Sequence, residues 1–242
     1  MALVGVAGGL ALGLLQYTIG RCLHYGPAGL SFIFVSSACV IPPIIMFFIF
    51  GAEFGHGFTL YNLFGFCVVL LGLYWMGKSQ GDNEVVDFKK WSLWVGLAFA
   101  SGILHQLILQ WRALLLKENM PDSCLLPFHC SQAEGEIYIV IAFLVASLCQ
   151  MLFQSGSEKV HATGKQVLVC GILGGILNGL SCFLLIQGTE YAVSDLEKAI
   201  IFPLNTVLLI TLCNSWAKAL YKEKVNWPAN FVCVSGIIAG SK

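Results

Sequence analysis

Residues 22–52, CLHYGPAGLSFIFVSSACVIPPIIMFFIFGA, contain no Asp, Glu, Lys or Arg. A helix crossing a hydrocarbon core roughly 30 Å thick needs about 20 apolar residues, and this stretch exceeds that length. Marking the charged residues outward from it leaves seven further charge-free runs: 1–20, 54–77, 91–111, 137–157, 166–189, 199–217 and 225–241. Overall, 57% of the 242 residues are hydrophobic and 11% charged, where a soluble domain carries roughly a quarter charged. Lipid offers no partner for backbone N–H and C=O groups, so each run is expected to be a helix. A membrane β-barrel would show alternating segments of about ten residues instead. The expected fold is therefore all-α, a polytopic membrane helix bundle of about eight transmembrane helices. Trp75, Trp91, Trp94, Trp216 and Trp227 fall near the expected helix ends, where amphipathic rings favour the membrane interface.

Several function classes fall away. Thirteen basic and thirteen acidic residues balance, and no Lys/Arg cluster builds a phosphate-binding face, so no nucleic-acid partner is expected. The first run lacks a basic lead and is followed by more spans, unlike a cleavable signal peptide. No nucleophile–base constellation, phosphate-cradling loop or HExxH motif points to an enzyme. Neither CxxC nor Cys/His ligand spacing occurs, so neither a metal nor a cofactor is expected. Of ten cysteines, those at 39, 67, 149, 170, 182, 213 and 233 lie inside the runs and read as small apolar fillers. Cys124 and Cys130 share a loop and read either as a disulfide facing an oxidising compartment or as two unpaired thiols.

The chain also repeats itself. Residues 5–13 read GVAGGLALG and residues 171–179 read GILGGILNG, so Gly5, Gly8, Gly9 and Gly13 match Gly171, Gly174, Gly175 and Gly179 at one constant offset. The same offset pairs Tyr25 with Tyr191 and Leu30 with Leu196. With an adjustment of about one helical turn, Glu53 pairs with Glu223, each in a short loop before a glycine-bearing apolar run. The first copy, residues 1–80, holds three runs and the second, residues 91–242, holds five. The expectation is a five-plus-five architecture that here lacks its first two helices, through truncation or genuine shortening. An odd number of spans per copy inverts one copy relative to the other, a construction common in secondary transporters.

Five-helix repeats with a Glu-bearing loop before the last helix resemble EamA-type members of the drug/metabolite transporter superfamily. Ala199–Gly240, AIIFPLNTVLL…YKEKVNWPANFVCVSGIIAG, is similar to the end of such a unit. GLALGLLQYTIGRCLHYGPAGLSFIF…IPPI resembles the rhamnose- and glucose-uptake branch. The resemblance implies a permease for small solutes with its termini in the cytoplasm. Summing Lys and Arg by alternating loops points the other way, to both termini outside. Arg21, Lys78, Lys89, Lys90, Lys159, Lys165, Lys218, Lys222 and Lys224 fall on one side, against Arg112, Lys117, Lys198 and Lys242.

Polar groups inside membrane helices are costly and mark candidate sites. The substrate-path candidates are Gln16 and Tyr17 in the first run, and His105, Gln106 and Gln110 in the fourth. Asn178 and Ser181 in the sixth run, and Lys198 and Asn205 at and in the seventh, complete the set. The competing explanation is hydrogen bonding that simply holds helices together, or, for Lys198, snorkelling to the interface. Pro42, Pro43 and Pro203 free backbone carbonyls inside their runs, as broken transporter helices do, although proline also kinks ordinary membrane helices. These features give a multi-pass permease working by alternating access on a small polar metabolite between two inverted repeats. The alternative is a non-transporting scaffold, subunit or transporter remnant. The expected surroundings are a lipid bilayer, on short loops a bacterial inner membrane, with a small-molecule substrate and self-association left open.

Overall fold

The computed structural model describes residues 1–51, 59–79, 87–116, 128, 130–154, 164–191, 195–220, 222 and 225–240. All regular structure among these is helical: α1 (Ala2–Tyr25), α2 (Ala28–Ser37), a 3₁₀ turn (Ala38–Val40), α3 (Ile41–Phe50), α4 (Leu60–Ser79), α5 (Phe88–Leu115), α6 (Gln132–Gln154), α7 (Gly164–Tyr191), α8 (Asp195–Leu220) and α9 (Trp227–Ala239). Four stretches are long and apolar enough to cross a membrane: Ala2–Tyr25, Ala28–Phe50, Phe88–Leu115 and Glu134–Phe153. Leu60–Trp75, Gly171–Ser181 and Trp227–Ala239 are shorter apolar helical stretches. Large side chains stand outward along the rods, Leu3 at 83% exposure and Phe231 at 72% among them, a surface suited to lipid rather than water.

The helix ends follow local chemistry. Asp87 caps α5 by accepting from the Lys90 N–H at 3.1 Å, and Asn226 caps α9 by accepting from the Ala229 N–H. Before α6, the Ser131 N–H donates to Glu134 Oε2 at 2.8 Å while the Glu134 N–H reaches Ser131 Oγ, a reciprocal capping box. The charge-free run 22–52 breaks at residues 38–40. Pro42 and Pro43 lack the N–H groups that would bond the carbonyls of Ala38 and Cys39, so the backbone tightens there into a 3₁₀ turn, with the Ile41 N–H donating to Ala38 O. Pro203 does not interrupt α8.

Two expectations need correcting. Arg21 lies inside α1, not in a loop after it, because the helix runs on to Tyr25 and ends only at Gly26–Pro27. Trp91 is not an interfacial ring; it is 4% exposed and donates from Nε1 to Ser31 Oγ at 2.9 Å. The space it fills exists because residue 26 is glycine: a Cβ there would run into the indole.

α1 packs between α5 and α6, α2 against α8 and α5, and α4 against α9. One apolar core joins Cys22, Leu30, Ile33, Val69, Trp91, Ile210 and Cys233; a second joins Val4, Met46, Leu115, Tyr138 and Ala142. Of the helix boundaries, the ends of α1 at Tyr25 and α7 at Tyr191 share the offset of the sequence match, whereas their starts at Ala2 and Gly164 do not. The surroundings of the matched glycines differ. α6 closes the α1 stripe, with Ile141 on Gly5, Tyr138 on Gly8, Val145 on Gly9 and Cys149 on Gly13. Around Gly171, Gly174, Gly175 and Gly179 a Cβ would meet nothing within 4 Å among the described residues. Glu53, Glu223 and Cys124 lie outside the described residues; Cys130 is a buried free thiol.

Candidate functional site

α1 carries a line of polar contacts along its seam with α5 and α6. At the end where α6 begins, Arg112 Nη2 donates to Gly135 O at 3.0 Å, and its guanidinium carbon lies 5.2 Å from the Tyr138 ring centroid. The Tyr138 ring and hydroxyl press onto Gly8, where any Cβ would block them. His105 of α5 hydrogen-bonds the backbone of that same Gly8. One turn and a half further on, Gln150 Nε2 donates to Gly13 O at 3.0 Å. At the far end Arg21 Nε donates to the Tyr17 hydroxyl at 3.1 Å, within a cluster that includes Trp94 and Phe153. From Gly8 to Arg21 is about 20 Å along the helix at 1.5 Å per residue, two thirds of a hydrocarbon core.

The row exists because glycine removes side chains where backbone carbonyls must be reached. Gly8 and Gly13 expose their carbonyl oxygens to polar groups from two neighbouring helices, and residues of ordinary size would hold those helices away. His105 follows Trp91, Val95, Ala98 and Gly102 on the buried stripe of α5 at helical spacing. His105 Nδ1 in this row, and Gln110 Oε1 further along α5, are buried with no hydrogen-bond partner among the described residues.

Of the residues singled out from sequence, Tyr17 and His105 sit in this row. Gln16, Gln106 and Gln110 are half-buried on the same two helices. Asn178 and Ser181 on α7 and Asn205 on α8 are exposed, and the structure does not gather them with the others. The side chain of Lys198 lies outside the described residues. Sequence reasoning missed Arg21, Arg112, Tyr138 and Gln150. Arg21 and Arg112 were visible as charges bounding apolar runs, but nothing local marked Tyr138 or Gln150 as partners of Gly8 and Gly13. Among the described residues no group of His, Cys, Asp and Glu is arranged to hold a metal ion. The chain matches no known protein family, no curated protein and no solved structure.

Proposed function

We propose that the chain is a multi-pass membrane permease for a small polar metabolite, of the EamA-like drug/metabolite transporter type, in a bacterial inner membrane. The polar row along α1 carries the reading. If His105 and Gln110 served only to hold helices together, their buried acceptors would be expected to have partners, since an unsatisfied buried group costs about 1–3 kcal/mol. Groups kept in that state suit a path whose hydrogen bonds are completed by solute or water. The break between α2 and α3, beside α5, adds backbone groups outside regular α-helical bonding.

In this reading His105 and Gln110 contact the solute, with Gln106 and Gln16 beside them, and the Arg21–Tyr17–Trp94 cluster guards one end. The second reading, a non-transporting membrane component, draws on Asn178, Ser181 and Asn205 standing apart and exposed. Uptake of labelled sugars, amino acids and nucleosides into vesicles separates the two. Saturable uptake of one class is expected, abolished in His105→Leu and Gln110→Leu and retained in Asn205→Ala. Wild-type rates in both α5 variants would dispose of the path. A folded protein that moves no solute of the panel leaves the scaffold reading.

A further inference from the structure

The 3₁₀ break between α2 and α3 falls at the middle of Ala28–Phe50, one of the stretches long enough to cross a membrane. Backbone groups outside helical bonding at that depth need partners, because lipid offers none. The Cys39 carbonyl finds none in its own helix: the residues three and four further on, whose N–H groups would reach it, are Pro42 and Pro43. One turn earlier, Ser36 is 7% exposed, and its Oγ is buried with no hydrogen-bond partner among the described residues. The other serines of α2 behave differently. Ser31 Oγ donates to Pro27 O and Ser37 Oγ to Ile33 O, both at 2.8 Å. Ser36 and Cys39, three residues apart, share a helix face, with Cβ atoms about 5–6 Å from each other.

α8 sets a similar arrangement against this break. Both α2 and the 3₁₀ turn pack on α8, and the buried Thr206 hydrogen-bonds the Cys39 thiol. Pro203 removes the N–H that the Ala199 carbonyl would accept, and residues 199, 203 and 206 fall on one side of the helix at its pitch. Two touching helices thus each bring a buried hydroxyl and a carbonyl freed by proline. We propose that a small monovalent cation of the sodium kind binds between the break and α8, held by Cys39 O, Ser36 Oγ, Ala199 O and Thr206 Oγ1. Carbonyl and hydroxyl oxygens replace the hydration shell of such an ion, and broken helices in membranes present them for this use. The C-terminal end of α2 adds about half a negative charge. The ligands are all neutral, which suits one positive charge; a divalent ion calls for carboxylates. Among the described residues the buried fixed charge is Arg112, beside Tyr138 in the other core, so it does not compete here. Binding requires no transport, so the site is tested separately from the permease reading.

Equilibrium binding of radioactive sodium to the purified full-length chain in detergent micelles, with choline as the background salt, tests it. Wild type is expected to bind saturably, with lithium competing and choline not. Ser36→Ala, which removes a hydroxyl that bonds nothing else described, should weaken binding about tenfold. Pro43→Ala, which returns an N–H to the Cys39 carbonyl, should do the same. Ser37→Ala removes the neighbouring hydroxyl, already committed to Ile33 O, and should change binding by at most about twofold. Circular dichroism of each variant verifies that helicity is retained. A wild-type chain with no saturable sodium binding overturns the proposal, as does binding that calcium displaces and lithium does not. Binding left unchanged by both Ser36→Ala and Pro43→Ala, or weakened as much by Ser37→Ala as by Ser36→Ala, overturns it too.

Discussion

Replacing Gly236 by alanine puts a Cβ 2.8 Å from Val69 N and 2.9 Å from Gly65 O. Both are backbone atoms of α4, so no side-chain rotation relieves the clash. Reaching an ordinary contact of about 3.5 Å requires α4 and α9 to part by roughly 0.7 Å. A gap of that size forfeits a quarter to a half of each facing contact. It also stretches the Asn62 hydrogen bond to Gly240 O and loosens Cys233 against Gly72. Overpacking of this kind costs about 1–3 kcal/mol, against a helix-propensity gain from alanine of at most roughly 1 kcal/mol. The expected net is a destabilisation of about 1–2 kcal/mol. Gly20→Ala supplies the control, because nothing lies within 4 Å of its Cβ position; it should be neutral or stabilising by up to about 1 kcal/mol. Equilibrium unfolding in mixed micelles measures both. If the two variants behave alike, close glycine packing does not hold α4 to α9 and the reasoning fails.

Two smaller effects are also accessible. Asn214 Nδ2 donates to Asn230 Oδ1 at 3.0 Å, joining α8 to α9 in the interior, so Asn214→Ala should destabilise by about 1–3 kcal/mol. Adding Asn230→Ala should cost less than the sum of the single changes, since the pair acts as a unit; additive losses measured by the same unfolding assay would show the bond is idle. The Asp87 carboxylate is held below its ordinary value, first by the Lys90 backbone N–H and then by the Lys90 side chain. A lowered folded value means that the cap contributes above the unfolded value of about 3.9 and is lost as pH falls through the folded one. After correction for intrinsic exchange, protection of the Lys90 amide should be flat near neutrality and fall only in acid; a loss near neutral pH would contradict the capping role.

Helical character could be read directly because it depends on one-dimensional facts. An apolar run in lipid must satisfy its own backbone, and only a helix does so within the run. The caps Asp87, Ser131–Glu134 and Asn226, and the break before Pro42 and Pro43, are equally local: donors or their absence, within four residues. His105 and Tyr17 were legible as polar groups in apolar surroundings. Gln150 and Tyr138 were not, because one meets the Gly13 carbonyl and the other packs on Gly8, both on α1 and more than a hundred residues away.

From its residues alone the chain declares all-helical structure and two matched glycine stripes. Only the packing shows that one stripe is filled by α6 while the other stands open, that Trp91 belongs to the interior, and that Arg21 turns back onto Tyr17. Glycine marks where helices can approach closely. Which neighbour arrives, and whether a polar group comes with it, depends on contacts between distant segments, which sequence spacing does not encode.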